Sequence, residues 1–336
     1  MKIAKQQVLS ADNSVRPLLS VAVYSSIYSS MLFSFRRVKR HLSKKFSEKI
    51  TKAKLKIPTS SVIYQRDVEF TRGKKHALKM DILHPRFLPQ KPMPAIVWIH
   101  GGAWREGNKE DGIELLLPFA RCGYFCASIE YRLSHEAIFP AQIEDCKCAI
   151  RFLRAHAAEF YLDAEHIGVW GCSAGGHLAA LLGTTNHIQE FEGEGGWEKF
   201  SSCVQAVCDW FGPTDFLSIN DFPRKVSDAP GDSPEEILIG GPIQENMEKV
   251  AQANPITYVT QAAPPFLIAH ADDDLIVPLN QSQLLFEALQ QAGVEVTLEV
   301  VKGGGHGKKF DSPELLKKLE YFFKKHLDPE DCTGIL

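Results

Sequence analysis

Short apolar runs alternate with segments of helical spacing from residue 62 onward, the signature of a mostly parallel sheet covered by helices on both faces. Ala95–Ile99, Phe125–Tyr131, Ile167–Trp170, Val204–Phe211, Phe266–His270 and Val296–Val301 read as strands. Val62–Phe70 and Ala77–Leu83 flank a polar stretch, as an antiparallel starting pair does. Between the strands, apolar residues at helical intervals predict helices over Gly112–Arg121, Gln142–His156, Gly176–Leu182 and Gln281–Gln291. A final helix starts at Asp311-Ser312-Pro313-Glu314, where a capping side chain precedes a proline and an early carboxylate. Residues 186–200 and 213–255 are rich in Gly, Pro and charge, and are expected to form loops or a small lid at the mouth of a site. The expected architecture is an α/β fold over residues 61–328, preceded by a helical arm at 1–60 and followed by a tail at 329–336.

The arm has a pattern of its own. Tyr24, Ile27, Tyr28, Met31, Leu32 and Phe35 share one face of a helical wheel, and Ser25, Ser26, Ser29 and Ser30 occupy the other. Six serines interrupt Leu18–Phe35, so an amphipathic helix explains the segment better than a bilayer span or a cleaved signal. Leu42, Phe46 and Ile50 continue at a spacing of four, as in a second helix. Charge sharpens this picture: residues 1–60 hold 13 Lys/Arg against 2 Asp/Glu, the remainder 25 against 39, within a net charge of −3. A basic arm beside an acidic body points to docking on that body or to a homodimer element, and secondarily to peripheral contact with an anionic membrane. No base-reading motif accompanies the charge, which argues against nucleic acid. The eight cysteines show neither C-x-x-C pairs nor zinc-ligand spacing, so structural thiols in a reducing, cytoplasmic setting are expected, with no metal.

Candidate chemistry centres on Gly171-Cys172-Ser173-Ala174-Gly175, where the strand Ile167–Trp170 runs into a small-residue helix. That placement makes Ser173 the candidate nucleophile of a strand-turn-helix elbow, whose crowding requires glycine two residues to either side. A serine hydroxyl is a weak nucleophile until an imidazole takes its proton. His306, in Gly303-Gly-Gly-His-Gly307 after the Val296–Val301 strand, is placed to be that base. The acid is sought after the preceding strand, in His270-Ala-Asp-Asp-Asp274, where Asp274 is preferred. Asp272 and Asp273 are expected to bond turn amides or face solvent, and Asp215 in Gly212-Pro-Thr-Asp215 is the runner-up. The loop His100-Gly101-Gly102-Ala103-Trp104 follows a strand and can bring backbone N–H groups to a developing oxyanion. The amides of Gly102, Ala103 and Ala174 are therefore assigned to the oxyanion hole, and His100 to bracing the loop. Trp104 is read as part of the substrate pocket wall, with simple packing as the alternative.

With these motifs in this order, the chain resembles the hormone-sensitive-lipase-like esterase group of the α/β-hydrolases, and most nearly the bacterial acetylxylan and feruloyl esterase-like branch. The resemblance spans roughly residues 65–310: HGGAW at 100–104, EYRL at 130–133, FPAQIEDCKCAIRFLR at 139–154, GCSAGGHLAALLG at 171–183, FGPTD at 211–215 and HADDDLIVP at 270–278. It implies an α/β-hydrolase fold and triad roles for Ser173, Asp274 and His306. Ala103 stands where such loops usually carry a third glycine, and Ala271 where a glycine usually follows the histidine. The expected function is a carboxylic-ester hydrolase working through an acyl-enzyme on short-acyl small-molecule esters, such as acetylated sugars or hydroxycinnamates, without a cofactor. An arylformamidase-like or peptidase-like amide hydrolase is the alternative among enzymes. A catalytically inactive binding or membrane-associated protein of the same fold is the alternative outside them.

Overall fold

The computed structural model describes residues 61–71, 77–226 and 232–327. The expectations for the arm at 1–60 and the tail at 329–336, including the homodimer element and the membrane contact, lie outside the described residues. Eight strands form one sheet: β1 (Val62–Glu69), β2 (Lys79–Pro85), β3 (Met93–Ile99), β4 (Phe125–Ile129), β5 (Leu162–Cys172), β6 (Ala206–Trp210), β7 (Phe266–Ala271) and β8 (Val296–Val301). Their order is β1-β2-β4-β3-β5-β6-β7-β8. β2 pairs antiparallel with both β1 and β4, and every pairing from β4 to β8 is parallel. This is the α/β-hydrolase arrangement, and each strand expected from the pattern is present with shifted ends.

The middle strands β3, β4, β6 and β7 are almost wholly buried on both faces, which is why they read as mostly apolar runs, with Asp209 in β6 and His270 in β7 as the charged or titratable exceptions. Helices α1 (Ile113–Arg121) and α7 (Pro313–Leu327) cover one face and meet through Phe119 and Phe323, with ring centroids 6.0 Å apart. On the other face lie α2 (Ala141–Ala155), α3 (Ala174–Thr184) and α6 (Asn280–Gln291). Gly183 lets α3 settle onto the sheet, because a Cβ there would stand 2.5 Å from Val207 Cγ2 on β6. The final helix begins as its sequence predicts, with Ser312 Oγ accepting from Leu315 N at 3.4 Å. Among the described residues no helix is long and apolar enough to cross a membrane.

Two regions were expected as loops or a small lid. Residues 186–200 form a loop with one short 3-10 turn (Gln189–Phe191), fastened along α2. Lys147 Nζ reaches Thr185 O at 2.8 Å and Glu192 Oε1 at 3.0 Å, while Arg151 binds Glu192 and donates to Gly196 O at 3.0 Å. Both cations are buried, and the Glu192 carboxylate that neutralises them comes from the segment that folds back over them. Residues 213–255, expected as loops or a small lid, contain two short helices, α4 (Pro234–Ile239) and α5 (Met247–Ala253). Ser233 starts α4 with a capping box, its hydroxyl accepting from Glu236 N and the Glu236 carboxylate accepting from Ser233 N.

Candidate active site

β5 ends at the tight turn that carries Ser173, and α3 leaves from it. Ser173 has φ 54° and ψ −122°, a conformation that costs a non-glycine residue about 1–3 kcal/mol and persists only where the surroundings enforce it. Its N–H donates to Trp210 O at 2.8 Å and its carbonyl accepts from His177 N at 3.0 Å, so both sides of the turn are tied down. The two flanking glycines follow from crowding: a Cβ on Gly171 would stand 2.2 Å from Gly175 O, and one on Gly175 2.1 Å from Ile99 O.

The three residues read as a triad converge across the C-terminal edge of the sheet. His306 Nε2 lies 2.9 Å from Ser173 Oγ, and His306 Nδ1 lies 2.7 Å from Asp274 Oδ2. Asp274 Oδ1 accepts from Ile276 N at 2.8 Å and from Val277 N at 3.1 Å. Burial pushes this carboxyl up, but hydrogen bonds from His270, His306 and the Ile276 amide outweigh it and hold the group well below the usual carboxylate range. Asp274 is therefore ionised at neutral pH. The neighbouring aspartates brace the loop that carries the histidine, Asp272 accepting from Gly303 N at 2.8 Å and Asp273 from Gly305 N at 2.7 Å. Asp215 is engaged elsewhere, taking Leu217 N at 3.0 Å and Asn254 Nδ2 at 2.8 Å.

The 100–104 loop packs directly against the elbow, and a Cβ on Gly101 would lie 2.9 Å from Cys172 O and 3.4 Å from Ser173 Cβ. Gly102, Ala103 and Trp104 all have positive φ, at 106°, 55° and 56°. That run explains the cost of the alanine at 103, since a Cβ in the left-handed region costs about 1–2 kcal/mol. The loop is held by Gly102 O, which accepts from Arg105 N and Glu106 N, and by Trp104 O, which accepts from Ser134 N and Oγ. Ala174 is the first residue of α3, where an N–H has no acceptor within the helix.

His100 is buried, its ring stacked on Tyr131 with centroids 4.2 Å apart and its Nδ1 2.7 Å from Gly101 O. Burial lowers its pKa, so it braces the loop as a neutral ring, as expected. Trp104 is 2% exposed and its indole packs edge-on against His177 and Phe216, in keeping with the packing alternative. His177, another histidine close to the elbow, is buried with a pKa lowered to about 4 by desolvation, and its Nε2 is 2.7 Å from Ala253 O.

A profile of the BD-FAE family matches residues 80–289, which includes the elbow, the 100–104 loop and Asp274. The chain belongs to the BD-FAE family. Esterase LipC of Mycobacterium tuberculosis is 33% identical over 237 residues, covering 70% of this chain and 58% of that protein. A truncated carbohydrate esterase from gut microbiota superposes with a TM-score of 0.73 at 33% identity, covering 81% of this chain and 98% of the other. A bifunctional GH43-CE protein of Bacteroides eggerthii gives 0.72 at 36% identity, over 78% of this chain and 35% of its own. The chain spans about half the length of the curated relatives it matches, at 58%, 45% and 53% of theirs.

Sequence reasoning missed three residues of this BD-FAE site. Phe211 sets its ring edge-on against His306, 4.8 Å between centroids at 65°, and packs the imidazole in place. His270 stands behind Asp274. Asp209, on β6 under the elbow, is buried with Oδ1 accepting from Gly212 N at 2.9 Å and Oδ2 unpartnered among the described residues. Its only sequence signal was an acid inside an apolar strand. Burial raises its pKa from the ordinary 3.8 to about 6. An acid whose pKa is raised by folding contributes its full stability below pH 3.8 and loses it as pH rises through about 6. At pH 8 the ionised group costs on the order of 3 kcal/mol. Asp209→Asn, which keeps the acceptor for Gly212, is expected to raise stability at pH 8 and to flatten its decline between pH 4 and 7. Urea unfolding at pH 5 and pH 8 measures this; equal losses at both would refute it.

Proposed function

We propose that this protein is a serine carboxylic-ester hydrolase with Ser173 as nucleophile, His306 as base and Asp274 as the orienting acid. The observation that carries this reading is the continuous hydrogen-bonded line Ser173–His306–Asp274, with separations of 2.9 and 2.7 Å, in a chain whose relatives are esterases. Ser173 Oγ attacks the ester carbonyl while its proton passes to His306 Nε2. The carbonyl oxygen becomes an oxyanion, to which the amides of Gly102, Ala103 and Ala174 donate, each worth about 2.7–4 kcal/mol in the transition state. The imidazolium, stabilised by the Asp274 carboxylate, returns the proton to the departing alcohol and leaves an acyl-serine. Water repeats the sequence with His306 as base and releases the acid.

Short-acyl esters of carbohydrates are the substrates this reading favours, because structures at 33% and 36% identity are a carbohydrate esterase and a bifunctional protein with a CE part. Matched p-nitrophenyl esters and anilides test the reaction class. Ester turnover is expected to exceed anilide turnover, and the reverse order would replace the esterase reading with an amide hydrolase. An acetylated xylo-oligosaccharide panel tests the substrate class, with acetate release as the expected result.

A further inference from the structure

Behind the acid stands a histidine for which the reaction scheme has no step. His270 lies on β7 and is fully buried. Its Nε2 is 2.8 Å from Val277 O and 3.5 Å from Asp274 Oδ2, and its Nδ1 is 2.7 Å from Ser282 Oγ in the first turn of α6. A carbonyl oxygen only accepts, so Nε2 carries the proton. In a neutral ring Nδ1 is then an acceptor, and the Ser282 hydroxyl donates to it. The ring's hydrogen-bond partners thus belong to the acid loop and to the helix directly after it, while the Asp209 carboxyl on β6 acts on it only through its charge.

The consequence is geometric. The Nε2–H to Val277 O bond closes residues 272–277 back onto β7, which turns the Val277 N–H toward Asp274 Oδ1 at 3.1 Å. His270 Nε2 also lies 3.5 Å from Oδ2, the oxygen that receives His306 Nδ1 at 2.7 Å. A leucine of similar bulk would fill the space and supply neither contact. We propose that His270 is a positioning residue for the reaction, fixing the Asp274 carboxylate on the His306 imidazole through Val277 and Ser282. The proposal rests on the triad assignment above.

A double-mutant cycle separates this role from packing. His270→Leu is expected to lower kcat for p-nitrophenyl acetate by about 10- to 100-fold, with KM little changed, when Asp274 is present, and by less than about twofold when Asp274 is already Asn. His270→Gln, whose amide N–H can reach Val277 O, is expected to recover most of the loss. The low-field proton resonance of His306 Nδ1–H should weaken in His270→Leu and return in His270→Gln. Equal losses with and without the Asp274 carboxylate would reduce His270 to a core residue and overturn the proposal, as would full activity of His270→Leu. If His270→Leu fails to fold, Ser282→Ala enters the same cycle, with a loss of about 3- to 10-fold expected only when Asp274 is present. Full activity of Asp274→Asn alone would instead overturn the triad assignment, and the proposal with it.

Discussion

Ser173→Ala is expected to lower kcat by about a million-fold and to leave folding unaffected. The size of the loss follows from what the site retains. Without Oγ the imidazole has no proton to take and no acyl-enzyme can form, so only the oxyanion donors and the bound pose assist attack by water. Folding should survive because the elbow is held by backbone contacts: Ser173 N on Trp210 O, His177 N on Ser173 O, and glycines at 171 and 175 packed against neighbouring carbonyls. Alanine meets the same φ of 54° as serine and adds no atom to the turn. Turnover of p-nitrophenyl acetate and labelling by a fluorophosphonate measure the effect, with far-UV circular dichroism as the check on folding. Loss of less than about a hundredfold would place the nucleophile elsewhere, against the direct Ser173–His306 contact.

The parts of the site legible in the sequence are those where backbone requirements write themselves into neighbouring residues. Glycines at 171 and 175 report the crowding of the elbow, and the Gly101-Gly102 pair reports a loop pressed against it. His306 was readable because a glycine loop after a strand can reach the same sheet edge as the elbow. Asp274 was harder, since three aspartates in a row offer the same chemistry. The structure separates them by direction: Asp272 and Asp273 turn to the amides of Gly303 and Gly305, and Asp274 turns to the ring.

What stayed hidden depends on partners far away in sequence. Lys147 and Arg151 look like the solvated side of α2 until Glu192 and the 196 carbonyl fold over them. The packing of Trp104 depends on His177 and Phe216, which come against its indole from elsewhere in the chain. His270 looks like strand filler until Ser282 and Val277 appear on either side. The helix α4 is a different case, because its signal was present. Ser233-Pro234-Glu235-Glu236 repeats the cap, proline and carboxylate of residues 312–314, but α4 is only six residues long and too short for a helical period to emerge.

Asp274→Asn is expected to lower kcat by about ten-thousand-fold at neutral pH, through the proton on His306 more than through lost charge. Asp274 Oδ1 accepts two backbone N–H groups, from Ile276 and Val277, so an asparagine must keep its oxygen there. The amide nitrogen then takes the Oδ2 position, 2.7 Å from His306 Nδ1. It can only donate, so Nδ1 becomes the acceptor and the ring proton moves to Nε2. A protonated Nε2 points its hydrogen at Ser173 Oγ and cannot take the serine proton. The same exchange removes the carboxylate that stabilises the imidazolium. KM should change little, because the acid touches no substrate. Asp215→Asn is the matched control: its carboxylate serves Leu217 N and Asn254 Nδ2, and its loss should leave kcat within about twofold. Steady-state kinetics on the two variants at pH 7 decide the assignment, and a reversal of their effects would move the acid to Asp215.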